Sequence, residues 1–259
     1  MLRLAITAKQ LDIAPYIALA SEHRVGLEIQ VFGYHPNLLD GDWKDLVRRY
    51  KRLLRGFTGE RALHGVFYDM NSGSPDKQVR ALVRERYALS LQIAAELGAR
   101  TVVFHANYLP FVRRPEYLPE WTRIQEEFWA GLLQEAERLD LFIALENMWE
   151  PNPEIIANLL ERIDSPRLGA CLDVGHVYLY TDSTPLPAWI DRLRQWIIHI
   201  HINNHRGYYD EHLPLDAPDG VIDYRVVLPL LETLPRHPLV CLEMNHPEAI
   251  ERSLRYLGR

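Results

Sequence analysis

Eight short β-rich runs alternate with longer amphipathic stretches along this chain, at residues 2–8, 26–32, 62–68, 101–106, 142–147, 168–174, 196–202 and 239–244. Short apolar strands separated by helical stretches are the signature of βα units. At 259 residues the chain matches the roughly 250 of a single β/α barrel. The expected fold is therefore α/β, a single (β/α)8 barrel spanning residues 1–259, with eight parallel strands inside and helices outside. No composition break, internal repeat or low-complexity tract divides it.

The ends of these runs carry the second constraint. Nine Asp, Glu and His side chains fall at or just after the C-terminal ends of six successive runs: His64, His105, Glu146, Asp173 with His176, His201 with Asp210 and His212, and Glu243. A parallel barrel builds its site from the C-terminal ends of different strands. A charged residue straight after an apolar strand is costly to bury unless it is paired or bound to a cation. Glu146, Asp173 and Glu243 repeat that arrangement, and with His201 they form a carboxylate-rich set suited to Mn²⁺, Mg²⁺, Co²⁺ or Zn²⁺. In the run Ile-His199-Ile-His201-Ile both histidines face the same side, because strand side chains repeat every two residues. His201 is nearer the strand end and is assigned as the ligand, with His199 a core histidine behind it. His23, His35, His205, His237 and His246 read as surface or loop residues by default, with His205 and His246 the first exceptions to expect.

Helical periodicity places Leu46, Val47, Tyr50, Leu53 and Leu54 on one face of a helix over 44–54, with Asp42 as its N-cap. A second helix over 76–97 ends at Gly98, and others are expected over 121–139, 185–194 and 247–257. Segments 107–120 and 203–223 read as long loops on the catalytic face, where lids and specificity elements sit. The basic stretch 43–55, with Lys44, Arg48, Arg49, Lys51, Arg52 and Arg55, reads as a solvated outer face.

Composition narrows the partners. A net charge of −6 argues against broad nucleic-acid binding, which draws on Lys and Arg to neutralise phosphates. No apolar run approaches the roughly 20 residues of a membrane span, and residues 1–8 are too short for a signal peptide. Cys171 and Cys241 lie in separate apolar runs without a CxxC pair, as expected of reduced thiols in a cytoplasmic protein. Nucleophile-elbow, phosphate-loop and dinucleotide fingerprints are missing.

The segments Ala144-Leu-Glu-Asn147, Leu172-Asp-Val-Gly-His176, His201-Ile-Asn-Asn-His-Arg-Gly207 leading to Asp210-Glu-His212, and Cys241-Leu-Glu243 give the chain a family likeness. It resembles the xylose isomerase-like TIM barrels, which include sugar isomerases and epimerases and AP endonuclease family 2. Similarity to the epimerases implies one divalent ion, zinc or manganese, on Glu146, Asp173, His201 and Glu243, gripping two adjacent oxygens of a small sugar. Glu146 and Glu243 are then the catalytic pair that takes and returns a proton through an enediolate, with His176 and Arg206 binding substrate oxygens. Similarity to the endonuclease branch implies up to three zinc ions on all nine ligands and phosphodiester hydrolysis. From that branch the chain departs: the loop over 33–41 lacks the basic and polar residues expected to penetrate DNA, and Asp216-Ala-Pro-Asp-Gly220 stands where Gly-x-Gly is usual. A non-catalytic barrel is the third reading, disfavoured because no core carboxylate is lost. Barrels of this kind often pair as homo-oligomers through outer helices or loops.

Overall fold

The computed structural model describes residues 2–181 and 183–259; Met1, which opens the chain, and Asp182 lie outside them. The strands are β1 (Arg3–Ala8), β2 (Gly26–Ile29), β3 (Arg61–His64), β4 (Thr101–His105), β5 (Phe142–Glu146), β6 (Leu168–Asp173), β7 (Ile197–Ile202) and β8 (Leu239–Leu242). They pair in parallel in chain order, and β8 closes on β1, giving the expected (β/α)8 barrel. Two strands are shorter than the sequence suggests. The run expected to reach Phe32 ends at Ile29, because the backbone turns at Gln30 into a one-turn helix, α2 (Val31–Tyr34). The run expected to reach Tyr68 ends at His64.

The outer helices are α1 (Ala14–Glu22), α3 (Trp43–Leu53), α4 (Lys77–Leu97), α5 (Tyr117–Arg138), α6 (Glu154–Ile163), α7 (Val174–Tyr180), α8 (Leu186–Leu193), α9 (Tyr224–Glu232) and α10 (Pro247–Tyr256). α4 begins where Asp76 accepts a hydrogen bond from the Gln78 amide at 2.7 Å and ends at Gly98, whose φ of +70° suits a residue without Cβ. Asp42 stands at the N-cap of α3 but makes no capping bond. Its ψ of 28° turns it away from the extended geometry that brings a side chain onto the first-turn amides. α5 starts at Tyr117, four residues before the expected Trp121, and absorbs Pro119 into its first turn, where the missing N–H has no partner to lose. The loop after β4 is shorter by that amount. On α3, Arg48 and Lys51 pair with Asp45 and Glu96 at the exposed surface.

Strand alternation sorts the buried residues into two compartments. Side chains such as Leu27, Val102, Phe104, Ile143, Leu145, Leu172, Ile200 and Val240 join the helices in one large outer core with Trp129 and Trp189. The alternate positions form small separate clusters: Ala5, Ala62, Leu239 and Cys241, then Val103, Ala144 and Cys171. These are the barrel's interior floor, made mostly of small residues. One step further along the same faces come His64, His105, Glu146, Asp173, His201 and Glu243. On β3, β4, β5, β6 and β8 the inward residue turns from apolar to ionisable at the last step, while β2 and β7 carry Glu28 and His199 below the mouth.

A clip braces the mouth. Glu150, 1% exposed, accepts the Met148 amide at 2.6 Å and the Tyr108 amide at 3.2 Å, tying the loop after β5 to the loop after β4. Burial pushes its carboxyl up to about 7, against the pull of those two N–H groups.

Two outcomes follow from this packing. At Gly169 in β6, a Cβ would stand 2.6 Å from the Trp196 carbonyl oxygen and 2.8 Å from Ile198, beside the register shift between Ala170 and Cys171. Gly169→Ala is expected to lose about 1–3 kcal/mol, read as a lower urea midpoint at unchanged m-value; an unmoved midpoint would show that β7 yields freely. Glu150, raised from an ordinary 4.5 to about 7, favours folding while protonated. Its contribution is full below pH 4.5 and is lost as pH rises through 7. The stability of the native protein relative to Glu150→Gln is expected to fall by up to roughly 3 kcal/mol across that window and to stay level outside it. A flat difference between pH 4.5 and 7 would show that the carboxyl is not raised.

Candidate metal centre at the barrel mouth

Glu146 is the hub. Its Oε2 lies 2.9 Å from His64 Nε2 and 3.4 Å from His105 Nε2, while Oε1 lies 3.0 Å from His201 Nδ1 and 3.7 Å from His176 Nδ1. One carboxylate thus faces four imidazoles delivered by β3, β4, β7 and the start of α7. Burial alone would raise its pKa, but His201 and His105 outweigh that and hold it well below the usual carboxylate range.

Asp173 closes β6 and caps α7, accepting the His176 amide on Oδ1 at 2.7 Å. Asn147 locks it in place by exchanging two hydrogen bonds with the Asp173 backbone, at 2.9 and 3.0 Å. Its Oδ2 is buried without a partner, 3.8 Å from His201 Nδ1. Burial, with Glu146, Glu243 and Asp210 nearby, pushes this carboxyl up to about 7 despite His176. Glu243 ends the set. Its Oε2 is 3.3 Å from His201 Nδ1, and its Oε1 takes the Gln30 amide at 2.9 Å and faces Lys9 Nζ at 3.5 Å. Burial would raise it too, yet His201, Lys9 and His212 together lower it.

The loop after β7 supplies the remaining groups. Asp210 Oδ2 sits between His212 Nε2 at 2.9 Å and His176 Nε2 at 3.3 Å, so the Asp-x-His pair does fold back toward His176. Asp210 Oδ1 is buried and unpartnered. His212 holds a φ of +53°, a conformation that costs a non-glycine residue about 1 kcal/mol or more and that persists where the surroundings enforce it.

All nine sequence-predicted ligands therefore converge on one mouth. Among them, Glu146, Asp173, His201 and Glu243 offer donor atoms within 4.8 Å of one another, as do His64, Glu146 and His201. Two ligands about 2.0–2.1 Å from a tetrahedral ion stand about 3.3 Å apart; the separations from His201 Nδ1 to Glu146, Glu243 and Asp173 are 3.0, 3.3 and 3.8 Å. That spacing, two orphaned carboxylate oxygens and an oxygen-plus-imidazole donor set fit a divalent cation. Arg206 stands apart: it is half-exposed and ion-paired with Glu211 and Asp219.

Several residues escape the strand-end pattern. Glu28 and Gln30 occupy alternate positions in an apolar run, and both are fully buried. Glu28 lies 3.2 Å from His201 Nε2 and 2.6 Å from His199 Nε2, the latter contact too far off-axis to be a hydrogen bond. Polar residues two apart in an apolar strand were the available signal, since both must face inward and find partners. Lys9, 4% exposed beside Glu243, follows β1 as the ligands follow their strands. It borders a rim cleft of about 380 Å³ shared with Tyr34, His35, Asn245 and His246; a larger hollow of about 450 Å³, lined by Leu2, Leu4 and Leu257, is far from this chemistry. His205, one of the two exceptions expected among the surface or loop histidines, is a loop residue and is buried. The Asn204–Leu213 bridge folds its loop inward, and its ring meets the Gly175 carbonyl at 3.1 Å and the Gly207 amide at 2.9 Å.

Relatives share this architecture. An uncharacterized protein of Methanocaldococcus jannaschii is 29% identical over 71% of this chain and 64% of its own, so the match spans less than two thirds of that relative's length. Fructoselysine 3-epimerase of Escherichia coli O157:H7 is 24% identical over 71% of this chain and 69% of its own. Among solved structures, a Thermus thermophilus protein soaked with ZnCl2 superposes with a TM-score of 0.81 at 28% identity, over 99% of this chain and 98% of that one. The family model described as xylose isomerase-like TIM barrel matches residues 22–259, and the chain belongs to that family.

Proposed function

We propose that the protein is a divalent-metal-dependent epimerase or isomerase of a small sugar or sugar derivative. The observation that carries this reading is the pair Glu146 and Glu243, both buried, both with one oxygen turned toward the Asp173–His201 donor set. They arrive from β5 and β8, so they approach a substrate in the mouth from different sides of the barrel. One removes the proton from the carbon beside a carbonyl and the other returns it, which inverts or moves the oxygenated centre. A cation bound to the set supplies Lewis-acid polarisation of that carbonyl. The remaining oxygens of the two glutamates are held by His64 and by Gln30, which keeps each carboxylate in one orientation. Both expected substrate residues are engaged, so His176 reaches a substrate oxygen by releasing Asp210, and Arg206 by releasing Glu211 and Asp219. The epimerase among the relatives supports the same reaction class.

A second reading has its own observation. Glu146 Oε2 also faces His64 and His105, and Asp210 bridges His176 and His212, so the ligand groups for additional ions are assembled. Clustered zinc ions suit phosphodiester hydrolysis.

Elemental analysis of protein purified without chelator is expected to find about one divalent ion per chain for an epimerase, and about two or three zinc ions for a phosphodiesterase. Metal-loaded protein incubated with ketohexoses in D₂O should exchange the carbon-bound hydrogen beside the carbonyl. Glu243→Gln should slow that exchange about 10²–10⁴-fold while the sugar still raises the melting temperature in the presence of metal. Unimpaired exchange by the variant sinks the two-glutamate mechanism; cleavage of an abasic-site duplex with no sugar exchange decides for the second reading.

A further inference from the structure

The histidines at the mouth do not all face the same way. His64, His176 and His212 each direct Nδ1 at a main-chain carbonyl, of Gly65 at 2.9 Å, Asn147 at 2.8 Å and Glu243 at 2.8 Å. Such a bond is made by an Nδ1–H, which leaves Nε2 as the nitrogen turned toward the carboxylates, meeting them as an N–H or, once that proton leaves, offering its lone pair to a cation. His201 is reversed. Its Nδ1 faces Glu146, Glu243 and Asp173, and its Nε2 points down the barrel at Glu28. A strand residue pointing into the interior has its neighbours' carbonyls committed to the sheet, so no backbone acceptor is available there for the second ring nitrogen. A side chain must supply it.

We infer that Glu28 is a positioning residue, which accepts the His201 Nε2–H, fixes the tautomer that presents Nδ1 to the donor set, and through Gln30 holds Glu243 as well. The inference rests on the metal-dependent function proposed above. Gln30 provides the link, because its amide nitrogen donates to Glu28 at 2.7 Å and to Glu243 at 2.9 Å. β2 and β7 lie across the barrel from one another, with β8 and β1 between them. The carboxylate has room to span that distance because most of the floor beneath it is small, with Ala5, Ala62, Ala144, Cys171 and Cys241 beside the larger Leu239 and Val103. Glu28, His199 and His201 also offer donor atoms within 4.8 Å of one another, but the 2.6 Å separation of Glu28 and His199 argues against an ion shared by them. Ligands sharing one tetrahedral ion stand about 3.3 Å apart. A carboxylate behind a ligating imidazole is the arrangement that orients the ring and raises its basicity, and its loss typically weakens metal binding about 10–100-fold.

The test is metal affinity, with Zn²⁺ titrated into metal-free protein against a chromophoric chelator. Glu28→Gln is expected to bind about 10–100-fold more weakly, and its Co²⁺ form to show an altered visible spectrum. Equal affinity and an unchanged spectrum, in a native protein that does bind metal, overturn the inference alone. Native protein that takes up no metal overturns the proposed function and the inference with it. Should Glu28→Gln fail to fold, the native zinc form labelled with ¹⁵N-histidine decides. One ring bound through Nδ1, with an exchange-protected Nε2–H, is expected, and its absence overturns the assignment.

Discussion

Buried negative charge is the constraint around which the rest of the molecule is arranged. Glu28, Glu146, Asp173 and Glu243 are almost wholly removed from water, and Asp210 stands at their edge. Each isolated carboxylate in such a place would be strongly disfavoured in its charged form. Imidazoles meet most of that cost: His201 alone faces Glu28, Glu146, Asp173 and Glu243. What they do not meet is concentrated at Asp173, whose second oxygen has no partner and whose carboxyl is pushed up to about 7 by burial and the neighbouring carboxylates. The deficit of positive charge lies where four donors converge, which is where a divalent cation would complete the balance.

That arrangement dictates features well away from the ligands. The interior floor must be mostly small, or Glu28, Gln30 and His199 could not occupy the barrel axis. Most of the strands must change from apolar to ionisable within two residues, which a parallel barrel allows because each contributes only one or two side chains to a given layer. The outer core can then be conventional, with three fully buried tryptophans and a continuous apolar shell, since it has no part in the polar network.

The barrel was legible because two periodicities coincide, strand alternation and helix spacing, and each is local. The gathering of nine ionisable residues at the mouth was legible because a parallel barrel sends every strand's C-terminal end to the same place, so position along a run stands in for position in space. Glu28, Gln30 and Lys9 were not found on that basis. Their partners are 173 to 234 residues away, and a polar residue inside an apolar run does not announce which strand it will meet. His205 could be named as an exception but not placed, since a loop residue's burial depends on a bridge, Asn204 to Leu213, that no periodicity encodes. The early start of α5 came down to chemistry that can be read either way: Pro119 breaks a helix interior but fits a first turn.

The reversed imidazole of His201 unites these observations. A histidine at a strand's end can satisfy its outer nitrogen with a carbonyl from the loop that follows, as His64 does with Gly65. One placed deeper in the barrel cannot, and it brings a second carboxylate with it. That carboxylate needs an amide to hold it, and the amide, Gln30, has a second proton that must also be used. It is used on Glu243. Each buried polar group thus requires the next, and the chain of requirements ends on the glutamate assigned to proton transfer. A network satisfied in this sequential way leaves little freedom to any one member, so the orientation of Glu243 is set from the far wall of the barrel as well as by its own strand.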